Sequence, residues 1–551
     1  MKESTKELNK GYFIARIIMS FLIGVSIFLD SIIVFGKADG KVYWSNSGYK
    51  YVYFTSPTIK KFIIALVIMV ISFFAITFVG LLGEKIKEKF YNDKTTPKLN
   101  NIQFYFIYFG LILLMWLPYL LQFFPGGYDP NTRDILLQAQ GKQKLTNHYS
   151  IIYTLVFRVI FKIVFSLGGN VQITYTIISI LHTLIMCAGI AYFILWWHKK
   201  NVNRNIIIIL LLYFGLFPII PYYAVSIVRE APFAIFIVVL SFLLLDLILS
   251  KGEKLNDIDF IAEICINVFI IASLRNNGIY VVAAVFFVVL FCYLKYRKNM
   301  IPIWLTIIAI YIIQNPICSY FGINTEYREK LGVPLQQIAY VIVYNGKITP
   351  EQMDYLNQIV SLEKLKNKYS PWNVDFIKFD SDFDYKKVEK NKQKFFKTWI
   401  QIGMQNPKMY TKAYILHTTG FWDIRRQYNG DIKDYVNPFI NYGDNLSKFL
   451  NIKQYHLLEN GIFNIILVMY RNIINYACFE FLILIGLTYI FKEKKYKFII
   501  AYLPSLFAVG TMLIATPIAF GLRYVFYVIL FMPFAFMIPF LNMQMKNKKF
   551  I

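Results

Sequence analysis

Long apolar runs alternate with short polar blocks along this chain, and one long polar stretch interrupts the alternation. Runs of about 17–25 apolar residues are long enough for a helix to cross a bilayer. Twelve are legible: Tyr12–Gly36, Lys61–Gly83, Ile102–Phe123, Gln172–Trp197, Asn205–Ile220, Ala231–Ser250, Phe260–Leu274, Gly278–Leu294, Ile301–Tyr320, Ala477–Phe491, Phe498–Ile518 and Tyr524–Leu541. The pattern predicts an all-α polytopic membrane protein of about twelve transmembrane helices, with a mixed, mainly helical polar domain between the ninth and tenth. A thirteenth apolar segment, Tyr149–Phe165, carries Arg158 and Lys162 four residues apart. These two share a helical face, which predicts an amphipathic helix lying on the membrane surface. Gly461–Asn475 is expected to do the same.

Orientation follows from the basic blocks. His198–Arg204, Lys251–Lys254, Lys295–Lys298, Lys492–Lys497, Lys546–Lys549 and the Lys85–Lys98 segment should be cytoplasmic by the positive-inside rule. Threading the chain accordingly predicts a multi-pass protein of the cell membrane with both termini cytoplasmic. It divides into a two-span hairpin (1–101), a membrane core (102–320) with a first outer loop (124–171), an extracellular domain (321–476) and a three-span C-terminal segment (477–551).

Composition agrees with this reading. Of 551 residues, 57% are hydrophobic and 16% charged, against about 25% charged in ordinary soluble proteins. The net charge of +26 is spread over short blocks between apolar runs. That distribution belongs to membrane insertion and excludes the clustered basic face of a nucleic-acid binder. The five cysteines lie in or beside apolar runs, with no CxxC pair, and read as core residues. The first apolar run is too long for a cleavable signal and is expected to stay as an anchor. No G-x-x-x-x-G-K-[ST] loop is present, which disfavours ATP-driven chemistry by this chain.

Chemistry-bearing residues gather where the threading places the outer face. Asp129 and Asp134 lie in the first outer loop, where a carboxylate can act as general base on an acceptor hydroxyl. Asp129-Pro130-Asn131 is equally a turn sequence. Arg229-Glu230, Arg275 with Asn277, and Arg523-Tyr524 each stand at a span end. Arginines at that depth can hold a phosphate bidentately, or snorkel to ordinary lipid headgroups. Asn147 and His148 close the first loop and are candidates for substrate contact. Tyr410, His417 and Trp422 of the extracellular domain could shape an acceptor side. No metal ligand set has the required spacing, so no metal site is assigned, although a divalent ion is compatible with the chemistry.

The pieces FPGGYDPNTRDILLQAQG (124–141), NHYSIIYTL (147–155), REAPFAIF (229–236), LRNNGIY (274–280), LGVPLQQIAYV (331–341), NPKMYTKAYILHTTGFW (406–422) and TPIAFGLRY (516–524) give the chain a resemblance. In order and spacing they resemble an uncharacterised bacterial family, of Gram-positive type, within the GT-C superfamily of membrane glycosyltransferases. The resemblance implies transfer of a sugar from a polyprenyl-phosphate donor to an extracytoplasmic glycan, lipid or protein acceptor. It implies Asp129 or Asp134 as the base and Arg229, Arg275 and Arg523 as holders of the donor phosphate. It also implies Asn147, His148, Glu230, Asn277, Tyr524 and Trp422 as substrate contacts. The family aspartate falls near Asn131, which leaves the choice between Asp129 and Asp134 open, and the first two spans look like an N-terminal addition. A polysaccharide polymerase or ligase and a lipid-linked-sugar flippase are the competing classes.

Overall fold

The computed structural model describes residues 9–35, 52–91, 99–127, 130–424, 475–515 and 521–542, with a few isolated positions between them. Asp129, His456 and all of the expected interfacial segment Gly461–Asn475 except Asn475 lie outside the described residues. Nearly all that is described is helical; one two-stranded sheet pairs β1 (Ile33–Phe35) antiparallel with β2 (Val52–Phe54).

Each of the twelve apolar runs contains helix among the described residues, although the first ends in strand β1 and the fifth breaks at Phe217-Pro218. Among the described residues, eight helices are long and apolar enough to cross a membrane. Two others, Arg204–Leu216 and Gly278–Cys292, are apolar but shorter. The last two, Ile258–Leu274 and Tyr476–Lys492, have 17 residues each. The helices are α1 (Lys10–Ile32), α2 (Ile59–Glu88), α3 (Asn101–Gln122), α4 (Pro130–Gln140), α5 (Ile151–Ser166), α6 (Val171–Lys199), α7 (Arg204–Leu216), α8 (Ile219–Ala224), α9 (Glu230–Leu249), α10 (Ile258–Leu274), α11 (Gly278–Cys292) and α12 (Ile301–Ile312). Later helices are named by their residues.

Local chemistry sets many of their ends. Asn100 and Gln103 form a capping box at the start of α3, and Asn170 accepts from the Ile173 amide to start α6. α7 stops at Phe217 because Pro218 cannot continue it. Beyond α12 the chain widens into a π-turn at Ile313–Ile317 containing Pro316. That turn aims the buried Gln314 amide into the bundle, where it donates to the Ala272 carbonyl at 2.8 Å.

α9 is apolar on every side and is the central post of the bundle core, packed by α6, α10 and helix Phe526–Met537. α5 buries one face through Ile151, Thr154, Phe157, Phe161 and Val164 and exposes Val156, Val159 and Ile163. Its Arg158 donates to the Gln138 and Ala139 carbonyls, capping the C-terminal end of α4. The segment expected as a polar loop therefore contains a helix, α4, tied to the amphipathic helix that follows.

A second core fills the domain of residues 321–424 around helix Gly332–Val343, with Trp372 and Tyr369 fully buried. Ile33 and Val52 of the β-hairpin join this core, and Tyr344 donates to the Val52 carbonyl at 2.6 Å. The N-terminal hairpin is also fastened to helix Tyr476–Lys492. Asn9 donates to the carbonyls of Phe491 and Lys492, and Lys87 pairs with Glu493 at 2.5 Å.

Candidate functional site

The first loop reaches α9 through backbone. Gly127 bridges to Ser226: its amide donates to the Val225 carbonyl at 2.9 Å, and its carbonyl accepts from the Ile227 amide and the Tyr175 hydroxyl. Gly126 passes so close to α6 that a Cβ there would meet Ser179 Oγ at 2.3 Å, so only glycine fits. The stitched segment 225–228 then delivers Arg229 and Glu230 beside the loop. On the far side, Asn276 donates to the Asn147 carbonyl at 2.6 Å and Asn277 to Thr511 Oγ1 at 2.8 Å, which sets the turn carrying Arg275.

Glu230 is 2% exposed and lies within electrostatic reach of Arg229, Arg275 and Arg523. Arg229 Nε is 3.3 Å from its carboxylate. Aromatic rings hold each guanidinium in place. Arg229 lies 5.2 Å from the Tyr149 ring centre, and Arg275 lies 5.4 and 5.3 Å from Phe233 and Tyr524. Arg523 lies 4.8 Å from Tyr524 and donates to its hydroxyl at 2.8 Å. Such contacts favour the flat, weakly hydrated guanidinium over an ammonium. Arg275 and Arg523 are 7% and 9% exposed. Buried charge is tolerated when it is neutralised. Among the described residues, three guanidinium groups act on this one buried carboxylate.

Asp134 joins the array through Tyr149, whose hydroxyl donates to Asp134 Oδ2 at 2.9 Å, while Arg133 pairs with Oδ1 at 3.0 Å. His148 Nδ1 lies 3.8 Å from Glu329 of the polar domain. Burial, then the positive charges of Arg229 and Lys378, push His148 down to about 4, so its imidazole is neutral at neutral pH. Lys378, 2% exposed, binds Glu329 at 2.7 Å and Asp375 at 3.0 Å. Burial alone would lower its pKa; Asp375 and Glu329 outweigh that and hold the ammonium above the usual lysine range. Asp375 acts in turn on Tyr524. Lys378, Glu329 and Asp375 thus extend the charged array into the polar domain. The polar domain is docked here by backbone, the Ala519 amide donating to the Trp372 carbonyl at 2.8 Å.

Beside this array a groove of about 340 Å³ opens between α5, α6, α9 and α10. Its lining is almost wholly apolar, including Val156, Ile185, Phe236 and Phe269. One end is marked by Pro232, two residues from Glu230, and by Leu274, which precedes Arg275. Tyr153, also in the lining, lies within electrostatic reach of Glu230 and Arg229.

Of the residues expected from sequence, the fold brings together Asp134, His148, Arg229, Glu230, Arg275, Arg523 and Tyr524. Asn147 and Asn277 are anchors: Asn147 donates to the Gln314 carbonyl at 2.5 Å and accepts from the Ile151 amide. Trp422 packs against the polar-domain core, its indole donating to the Ile415 carbonyl at 3.1 Å. Tyr410 stacks on Trp399, and His417 is 1% exposed. Sequence reasoning missed Tyr149, Glu329, Asp375 and Lys378. Tyr149 adjoins His148 and was within reach of inspection; the other three lie far along the chain with no spacing signal. Among the described residues, no three His, Cys, Asp or Glu side chains gather to hold a metal ion.

One family matches this chain, over residues 137–549, and it is described only as a family of unknown function. No curated protein matches, and no solved structure matches. The match covers more than half of the sequence, from the end of α4 through the last span, so the chain belongs to the family of unknown function DUF6020.

Proposed function

We propose that this protein is a GT-C-type membrane glycosyltransferase that moves a sugar from a polyprenyl-phosphate-linked donor to an extracytoplasmic acceptor. The observation that carries this reading is the convergence of Arg229, Arg275 and Arg523 on buried Glu230 beside an apolar groove. Clustered guanidinium groups suit a phosphate, and an apolar groove alongside suits a long hydrocarbon chain attached to it.

The chemistry runs as follows. A first-loop carboxylate, Asp129 or Asp134, takes the proton from an acceptor hydroxyl. The acceptor oxygen attacks the anomeric carbon, and the bond from that carbon to the phosphate oxygen breaks. The polyprenyl phosphate departs with the electron pair, and the arginines stabilise the negative charge that develops on it. Glu230 keeps the guanidinium groups mutually compatible before the donor arrives.

The test uses the full chain in lipid nanodiscs with a radiolabelled polyprenyl-phosphate sugar, together with glycan analysis in cells. Arg275→Ala and Arg523→Ala should each slow release of polyprenyl phosphate about 10²–10³-fold. Asp129→Asn and Asp134→Asn should separate the base from its neighbour, one abolishing transfer and the other sparing it. Unchanged surface glycans and lipid-linked sugars in both aspartate variants, at normal protein levels, would overturn the reading. Undiminished lipid movement with no sugar transfer would favour a flippase instead.

A further inference from the structure

The polar domain carries a second cleft, remote in character from the arginine array. Helices Pro350–Asn357 and Lys392–Gln405 frame an open groove of about 830 Å³. That is within the range of about 300–1,000 Å³ typical of ligand clefts. The lining is unusual: of the twelve lining residues only Met404 lacks a nitrogen or oxygen in its side chain, and five are Asn or Gln.

The two walls do different things. On the first, Thr349 and Gln352 form a capping box, and Tyr355 offers its ring to Lys394, 4.6 Å from the ring centre. On the second, Gln393, Lys397, Gln401 and Gln405 recur every four residues and so lie on one face of the helix. The opposite face, Phe395 and Ile402, is buried in the domain core. The stripe runs for about 18 Å at 1.5 Å per residue. Its amides both donate and accept hydrogen bonds, which suits hydroxyl and acetamido groups. Lys394 and Lys397 line the groove with one acid, Glu351, and the twelve residues 386–397 hold four further lysines and one acid, Glu389.

We infer that this groove binds an acidic oligosaccharide, a chain of hydroxyl-rich rings bearing carboxylate or phosphate groups. The amide stripe matches the hydroxyls, and the lysines match the anionic groups. A hydrocarbon or an apolar helix finds no matching surface there. The inference goes beyond the transfer reaction and stands whether or not the arginine array binds a polyprenyl phosphate.

The experiment measures binding of the full-length protein in nanodiscs of neutral lipid to a hyaluronan hexasaccharide, with maltohexaose as the neutral control. The acidic probe should bind and the neutral one should bind at least tenfold more weakly. Lys394→Glu with Lys397→Glu should weaken acidic binding tenfold or more. Gln401→Ala with Gln405→Ala should weaken it several-fold without altering its salt dependence. Both pairs are on the surface, so thermal unfolding should match the parent and confirm folding. The inference is overturned if neither probe binds, or if both variant pairs bind like the parent. It is also overturned if the lysine pair changes only association with anionic lipid vesicles, which would make the patch a membrane contact.

Discussion

The two ends of α9 each hold a carboxylate among cations, and they are built to opposite specifications. At the N-terminal end Glu230 is 2% exposed and faces three arginines clasped by Tyr149, Phe233 and Tyr524. At the C-terminal end Asp246 has an 18% exposed side chain and is met by Lys200 at 3.1 Å and Lys254 at 3.3 Å. The lysine end is partly exposed, with Lys200 over the Trp196 ring and Lys254 over the Phe260 ring, and water reaches its charges. The arginine end is more deeply buried, so its charges are screened less. One helix thus carries a lysine–aspartate cluster at one end and an arginine–glutamate cluster at the other.

The comparison breaks most easily at Glu230. Removing one partner of a buried charge network leaves uncompensated charge, so Glu230→Gln should cost about 3–5 kcal/mol of stability. Asp246→Asn should cost about 1 kcal/mol or less. Thermal unfolding of the detergent-solubilised protein measures both, and equal losses would remove the distinction between the two ends. Added pyrophosphate should stabilise the parent and have no effect on Asp246-side variants beyond that seen in the parent.

A smaller effect tests why arginine is used. Arg275→Lys keeps the charge but loses the flat contacts to Phe233 and Tyr524, a loss of about 1–2 kcal/mol. The reverse exchange at the other end, Lys200→Arg, should be nearly neutral. A silent Arg275→Lys would mean that only charge matters at this position.

A further test is a pH dependence. His148 is held down to about 4 in the fold, against an ordinary value of 6.5. The unfolded chain therefore binds the extra proton between those values. The contribution is fully present above pH 6.5 and is lost as pH falls through 4. Replacing His148 with Asn should flatten the stability curve in that window and leave it unchanged above pH 7. A curve of the same slope in both proteins would place the titrating group elsewhere.

How much of this was legible in advance varies by element. Helix appeared in each apolar run, eight of the helices being long and apolar enough to cross a membrane, because hydrophobicity is a local property that any window of the sequence displays. Arg229, Arg275 and Arg523 stood out individually because a cation at the end of an apolar run is costly wherever it occurs. Their convergence on Glu230 was not visible, since residues 229, 275 and 523 carry no information about which span ends adjoin. Asn147 shows the same limit: the hydrogen bonds it makes with Gln314 and Asn276 join it to residues far along the chain.

The sequence by itself determined an all-α chain rich in membrane-length helices, a polar domain inserted among them, and a set of charges that no apolar environment tolerates unpaired. Those follow from transfer free energies that each segment carries alone. Only the tertiary structure decided that three of the arginines share one carboxylate, that Glu329, Lys378 and Asp375 reach His148 and Tyr524, and that an apolar groove opens beside them. The physical reason is that electrostatic neutralisation acts through space, between groups brought together by packing, whereas the hydrophobic signal that places a helix acts along the chain.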